Sequence, residues 1–113
     1  MMDRASDLFG NSNRTAVLVA IRLLGETYPS ELAAMLGLRL FAVQKIVESL
    51  EREGVTISRP VGRTRVVSLN ARYGPAKELD ALLWKMGKID VPLQSKLATK
   101  RRRPRRPGKS GLT

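Results

Sequence analysis

The sequence contains no cysteine and no histidine among its 113 residues. Disulfide bonds are therefore excluded, and so are zinc sites of the usual thiolate or imidazole kind. The same absence excludes nucleophilic catalysis by a Cys–His pair or a Ser–His–Asp triad. No glycine-rich loop that could hold a phosphate is present, since Gly62 stands alone, and the ten carboxylates are scattered. We therefore expect neither enzyme activity nor a metal or cofactor.

Long apolar runs are also missing. The most apolar stretch, residues 15–24, follows Arg14 and is interrupted by Arg22. It is too short to cross a bilayer, and no small-residue cleavage site follows it as in a signal peptide. The sequence therefore predicts a protein that does not enter membranes, and the lack of cysteine suits the cytoplasm.

Positive charge is abundant. The net charge is +11 and the isoelectric point lies near 11.1, which favours a polyanionic partner, nucleic acid before an acidic membrane. Residues 95–113 contribute +8 of this charge and hold no acid, which leaves +3 for residues 1–94. The chain has room for one domain. We predict a flexible arm over 1–11, a folded domain over 12–88 and a basic, disordered tail over 89–113.

Apolar residues at helical spacing predict four helices, at about residues 12–24, 29–37, 40–53 and 75–87. Glycines follow or end the first three helices, at positions 25, 37 and 54. Segments 55–59 and 64–70 are rich in Val, Ile and Thr, and Pro60, Gly62 and Arg63 lie between them, as in a hairpin. A helix, tight turn, helix and ribbon in this order predict a winged helix-turn-helix, mainly α with a small β-hairpin wing (α+β).

Several short motifs carry a family resemblance. They are Leu8-Phe9-Gly10, Glu31-Leu32-Ala33, Leu36-Gly37-Leu38, Val43, Lys45, Leu50-Glu51, Gly54 and Gly62-Arg63. Through them, residues 8–86 resemble the ArsR-like winged helix-turn-helix transcriptional regulators of bacteria and archaea. The resemblance implies DNA binding and a dimer built from terminal helices. Three departures matter. Arg39-Leu40-Phe41 opens the recognition helix in place of a small hydroxyl residue, and the Cys and His ligands of the metal-sensing members are missing. The basic tail is also not part of the family pattern.

The predicted recognition helix, 40–53, turns one polar face outward. On that face Gln44 is suited to adenine, Lys45 to guanine or phosphate, and Phe41 to thymine methyl groups, unless Phe41 folds into the core. The alternative is a merely solvated helix face. The full set of predicted DNA-binding residues is Arg39, Phe41, Ala42, Gln44, Lys45, Ser49, the wing residues Arg59, Arg63, Thr64 and Arg65, and the tail residues Lys100, Arg101, Arg102, Arg103, Arg105 and Arg106.

Apolar stripes on the first and fourth helices have two interpretations: they complete the core, or they form a dimer interface. The resemblance favours the interface, and the predicted interface residues are Val17, Leu18, Ile21, Leu79, Leu82, Leu83, Trp84 and Met86. A twofold dimer binds an inverted repeat whose half-sites lie about one helical turn apart.

Together these features predict a sequence-specific, double-stranded DNA-binding transcriptional regulator. It would be a homodimer in the cytoplasm, associated with the nucleoid. Repression is the default, because no activation domain is present. The small-molecule effector is unknown. Two alternatives stay open: an architectural DNA-binding protein with little sequence preference, and a winged-helix module that binds other proteins. Exposure of Phe41 would favour the second alternative.

Overall fold

The computed structural model describes residues 8–102. Their elements follow one another as α1 (Ser12–Leu24), β1 (Glu26–Thr27), α2 (Pro29–Leu36), α3 (Leu40–Arg52), β2 (Thr56–Val61), β3 (Thr64–Leu69), α4 (Ala76–Ile89) and α5 (Val91–Arg102). This order confirms the predicted fold class, mainly helical with a small β-hairpin wing. Within residues 8–102, no helix is both long and apolar enough to cross a membrane.

The ends of the helices follow from local side-chain and backbone chemistry. The Asn11 side chain caps α1 by accepting a hydrogen bond from the Arg14 amide at 2.8 Å. The segment before α1 is also fixed, because the Phe9 amide donates to the Thr15 hydroxyl. At the end of α2, Gly37 adopts a left-handed conformation with φ of +68°. This conformation makes the tight turn that leads into α3.

The sheet has three antiparallel strands in the order β1-β3-β2. Val61 pairs with Thr64, so the wing turns through only two residues, Gly62 and Arg63. Gly62 has φ of +61°, a conformation that side chains with a Cβ rarely adopt. The short segment between α1 and α2 supplies the third strand, since Glu26 pairs with Ser68. The base of β3 is therefore paired with a strand on each side, β1 on one and β2 on the other.

Helix α1 lies at the centre of the core, and all seven residues from 15 to 21 are buried. Because of this packing, the prediction of a dimer interface is wrong for most of its residues. Five of the predicted residues are 4% exposed or less and pack inside the protein's own core: Val17, Leu18, Ile21, Leu83 and Met86. Leu79 is partly buried against the same core. Only Leu82 and Trp84 remain on the surface.

The prediction of a disordered tail over 89–113 is wrong for the residues that form helix α5. The segment 91–102 is helical where disorder was expected. The buried Asp90 carboxylate accepts a hydrogen bond from the Leu93 amide at 3.1 Å, which caps the helix. Leu93 and Leu97, one turn apart, pack into the core. The folded domain therefore includes α5 and not only residues 12–88. The predicted tail contacts Arg103, Arg105 and Arg106 lie outside the described residues.

Candidate nucleic-acid interface

Helix α3 is anchored by one apolar face and exposes the opposite one. Val43, Val47 and Leu50 are fully buried, so the helix is fixed on the domain. Gln44 and Lys45 are exposed on the outer side. The placement of these two side chains agrees with the face predicted from helical periodicity. The arrangement presents an amide and an ammonium group from a rigid support.

The start of α3 combines an aromatic ring with positive charge. Phe41 is 68% exposed, so its ring lies on the surface and not in the core. The Lys45 Nζ atom lies 5.5 Å from the centroid of that ring. Arg39, which precedes the helix, is exposed, and Ala42 is half-buried beside it. This end of the helix therefore offers an apolar surface and two cations to a partner.

Ser49 has a partner within the fold. Arg14 of α1 donates from Nη1 to the Ser49 hydroxyl at 2.8 Å and from Nη2 to Glu53 Oε1 at 3.0 Å. The bridge holds the last turns of α3 against α1. Because these residues are more than 30 positions apart, no local sequence pattern could have revealed the link.

The Glu51 carboxylate connects the recognition helix to the wing. Its two oxygens accept hydrogen bonds from the Ser58 hydroxyl on β2 and the Arg65 guanidinium on β3. Both wing strands are therefore attached to α3 through one side chain. Arg65, predicted to contact DNA, has an acidic partner inside the domain.

The other two wing arginines differ in their surroundings. Arg59 Nη2 on β2 lies 2.8 Å from Glu26 Oε2 on β1, so this ion pair crosses the central strand β3. Arg63, at the turn, is exposed and forms no ion pair with any of residues 8–102. Thr64 follows it and is half-buried. Of the three arginines, Arg63 thus offers the uncompensated charge.

Charges along α3 limit where a polyanion fits. Arg39 directly precedes α3 and Lys45 lies in its first half, whereas Glu48 is exposed further along and would repel phosphate. A duplex therefore fits best against the first two turns of α3 and the wing tip. Among residues 8–102, no three acidic side chains lie close enough together to hold a metal ion.

A second surface lies on α4. Leu82 and Trp84 are each 42% exposed, and Ile89, which the predicted interface omitted, is more exposed still. Arg22 and Lys88 flank the Trp84 ring, with their charged groups 4.9 and 5.7 Å from its centroid. Helix α4 therefore keeps an apolar surface that the domain's own core does not cover.

Comparison with solved structures identifies the fold. The chain is similar to wild-type MarR from E. coli in its apo form, with a TM-score of 0.59 and 20% identity over 85% of this chain and 70% of that one. It is similar to the adhesin competence repressor AdcR from Streptococcus pyogenes, with a TM-score of 0.61 and 16% identity over 86% and 72% of the two chains. A double mutant of ZitR from Lactococcus lactis gives a TM-score of 0.60 and 16% identity over 99% and 73%.

The fold is a winged helix-turn-helix. At these identities the likeness establishes the architecture alone. No family model matches the sequence, and the comparison with curated proteins gives no match. The similar structures are of the MarR type, so they support the winged-helix prediction without supporting its narrower ArsR-like form.

Proposed function

We propose that the chain is a sequence-specific, double-stranded DNA-binding transcriptional regulator. The observation that carries the proposal is the outward placement of Gln44 and Lys45 on a helix whose other face is fully buried. An α-helix fits the major groove, where amide and ammonium groups distinguish base edges. Rigid support matters because contacts to bases require side chains held in register.

The wing and the tail have different roles in this proposal. Arg63 contacts phosphate or a narrow minor groove beside the helix, where arginine binds well. Arg59 and Arg65 position the wing through Glu26 and Glu51. The tail beyond residue 102 adds affinity that depends on salt and not on sequence.

We further propose a homodimer that represses transcription by covering its operator at the nucleoid in the cytoplasm. Its interface includes Leu82, Trp84 and Ile89, which stay exposed on α4 after the core is filled. The ArsR-like assignment belongs to the same proposal and rests on the sequence motifs such as Leu36-Gly37-Leu38.

Selection of binding sites from random DNA tests the proposal. At fixed salt, the selected site should bind roughly 10³-fold or more tightly than bulk DNA, as regulators do. A ratio near one would contradict sequence-specific regulation and would favour the architectural alternative. Footprinting of the selected site should show two half-sites about one turn apart.

One observation favours a second function, binding to another protein. Phe41 is a large apolar side chain on the surface of α3, and its neighbour Leu40 is also partly exposed. A Lys45→Ala/Arg63→Ala variant separates the two functions. If both side chains contact DNA, affinity falls roughly 30-fold or more for each protomer bound, from about 1 kcal/mol or more per contact. An Arg72→Ala/Lys77→Ala variant removes the same charge from exposed positions outside the proposed dimer interface and is the control. Equal affinities for the two variants would favour the protein-binding module.

A further inference from the structure

Phe41 is an exposed aromatic side chain at the DNA-facing end of the recognition helix. It lies in the first turn of α3, and the buried residues Val43, Val47 and Leu50 anchor the helix without it. An exposed phenylalanine gains little from burial in the free protein, so its surface is available to a ligand. The fold itself therefore does not explain why a large apolar residue occupies this position.

The surroundings of the ring favour nucleic acid over an apolar protein surface. The Lys45 ammonium lies 5.5 Å from the ring centroid, and Arg39 is exposed just before the helix. A protein that covered Phe41 with apolar side chains would also have to remove the Lys45 charge from water, which is costly. In the major groove, by contrast, the ring can contact a methyl group while the ammonium remains close to base acceptors and phosphates.

We propose that Phe41 determines specificity by packing on the C5-methyl group of a pyrimidine in the major groove. This inference rests on the proposed function and names the chemistry that the recognition helix selects. The methyl group can belong to thymine or to 5-methylcytosine, because both present it at the same place on the base.

The contact between Phe41 and Lys45 also predicts how far apart on the DNA the groups that they contact lie. The two residues are four positions apart and the ammonium lies over the ring, so they act as one unit about one helical turn long. A turn of α-helix rises about 5.4 Å, and successive base pairs lie about 3.4 Å apart. With α3 lying along the groove, Lys45 therefore reaches a guanine acceptor or a phosphate within about two base pairs of the methylated pyrimidine.

Base substitution in the selected site tests the inference. Each thymine is replaced in turn by deoxyuridine, which removes only the methyl group. We expect one position per half-site at which the wild-type protein loses about fourfold in affinity, the size of one buried methyl group. At that position, 5-methylcytosine should bind about fourfold better than cytosine. The Phe41→Ala variant should bind the thymine and deoxyuridine sites equally.

A matched control separates the methyl contact from a general loss of apolar surface. Leu8 is 57% exposed and lies outside α3, so Leu8→Ala should keep the wild-type preference for thymine. The melting temperature of free Phe41→Ala should equal that of the wild type, because the exposed ring contributes little to the stability of the fold.

Two results would overturn the inference while the proposed function stands. In the first, the protein binds its selected site tightly and no deoxyuridine substitution weakens binding. In the second, a methyl effect exists and persists in Phe41→Ala, so another side chain makes the contact. If selection instead yields no preferred site, the proposed function fails and the inference fails with it.

Discussion

Replacing Arg63 should change the salt dependence of DNA binding more than removing either of the other wing arginines. Arg63 is exposed and unpaired among residues 8–102, whereas Arg59 and Arg65 lie against Glu26 and Glu51. Counterions are released only where a cation neutralises a phosphate. We therefore expect Arg63→Ala to remove a phosphate contact from each protomer.

The expected change follows from the number of wings. Each lost contact lowers the slope of log K against log salt by about 0.9, so a dimer with two wings loses about 1.8. Raising the salt from about 50 to about 200 mM weakens binding of both proteins, and the factor of weakening should be about 12 times smaller for the variant than for the wild type. Fluorescence anisotropy titrations with a labelled duplex at several salt concentrations measure this slope.

The matched control removes a paired arginine together with its partner. The Glu26→Ala/Arg59→Ala variant keeps the net charge at +11 and deletes the ion pair at the wing edge. Its slope should equal that of the wild type, since an exposed pair contributes little and neutralises no phosphate. Two results would refute these roles for Arg63 and Arg59. In one, the slope of the control variant falls as much as that of Arg63→Ala. In the other, the slope of Arg63→Ala equals that of the wild type.

Three further predictions concern the core, the helix packing and the tail. Leu83→Ala should destabilise the fold by about 2–5 kcal/mol in denaturant melts, whereas Leu82→Ala should mainly weaken dimerisation in sedimentation experiments; equal losses of stability would contradict the packing of α4. Gly87→Ala places a Cβ 2.7 Å from Leu23 Cδ1. Although alanine favours helices, this clash should lower the free energy of unfolding by about 1–3 kcal/mol. A stabilised variant would show that α1 and α4 pack more loosely than in this structure. Removing 103–113 should flatten the salt slope for all sequences alike, and an unchanged slope would show that this segment does not contact DNA.

The recognition helix and the wing were predictable because local patterns determine them. Val43, Val47 and Leu50 recur on one helical face, and the same spacing places Gln44 outside. Gly62 marks the wing turn because the two-residue loop requires a positive φ there. These elements need no information about distant parts of the chain.

Helix α5 was missed because its composition resembles that of a disordered segment. The charge of +8 without any acid over residues 95–113 suggested a tail, and Pro92 and the few apolar residues nearby did not indicate a helix. Proline is tolerated in the first turn of a helix, where its missing N–H would have no partner within the helix. Leu93 and Leu97, one turn apart, are enough to attach the helix to a core that α1 and α4 have already formed.

Most of the predicted interface residues proved to be buried, for a different reason. Core and interface residues are both apolar, so spacing alone cannot distinguish Val17 and Ile21, which are buried, from Leu82, which is not. The acidic partners of two wing arginines could not be predicted from the sequence either. Glu26 lies 33 positions from Arg59 and Glu51 lies 14 from Arg65, and only the folded chain brings them together.

In the proposed complex the outer face of α3 lies in the major groove, and cross-linking tests this placement most directly. Because the chain has no cysteine, Gln44→Cys introduces a unique thiol, and Lys85→Cys on α4 provides an exposed control. Each variant is mixed with its selected site carrying a disulfide-activated tether on a major-groove base edge. We expect a cross-link from position 44 at defined bases and none from position 85. Efficient cross-linking from position 85, with none from position 44, would contradict this placement.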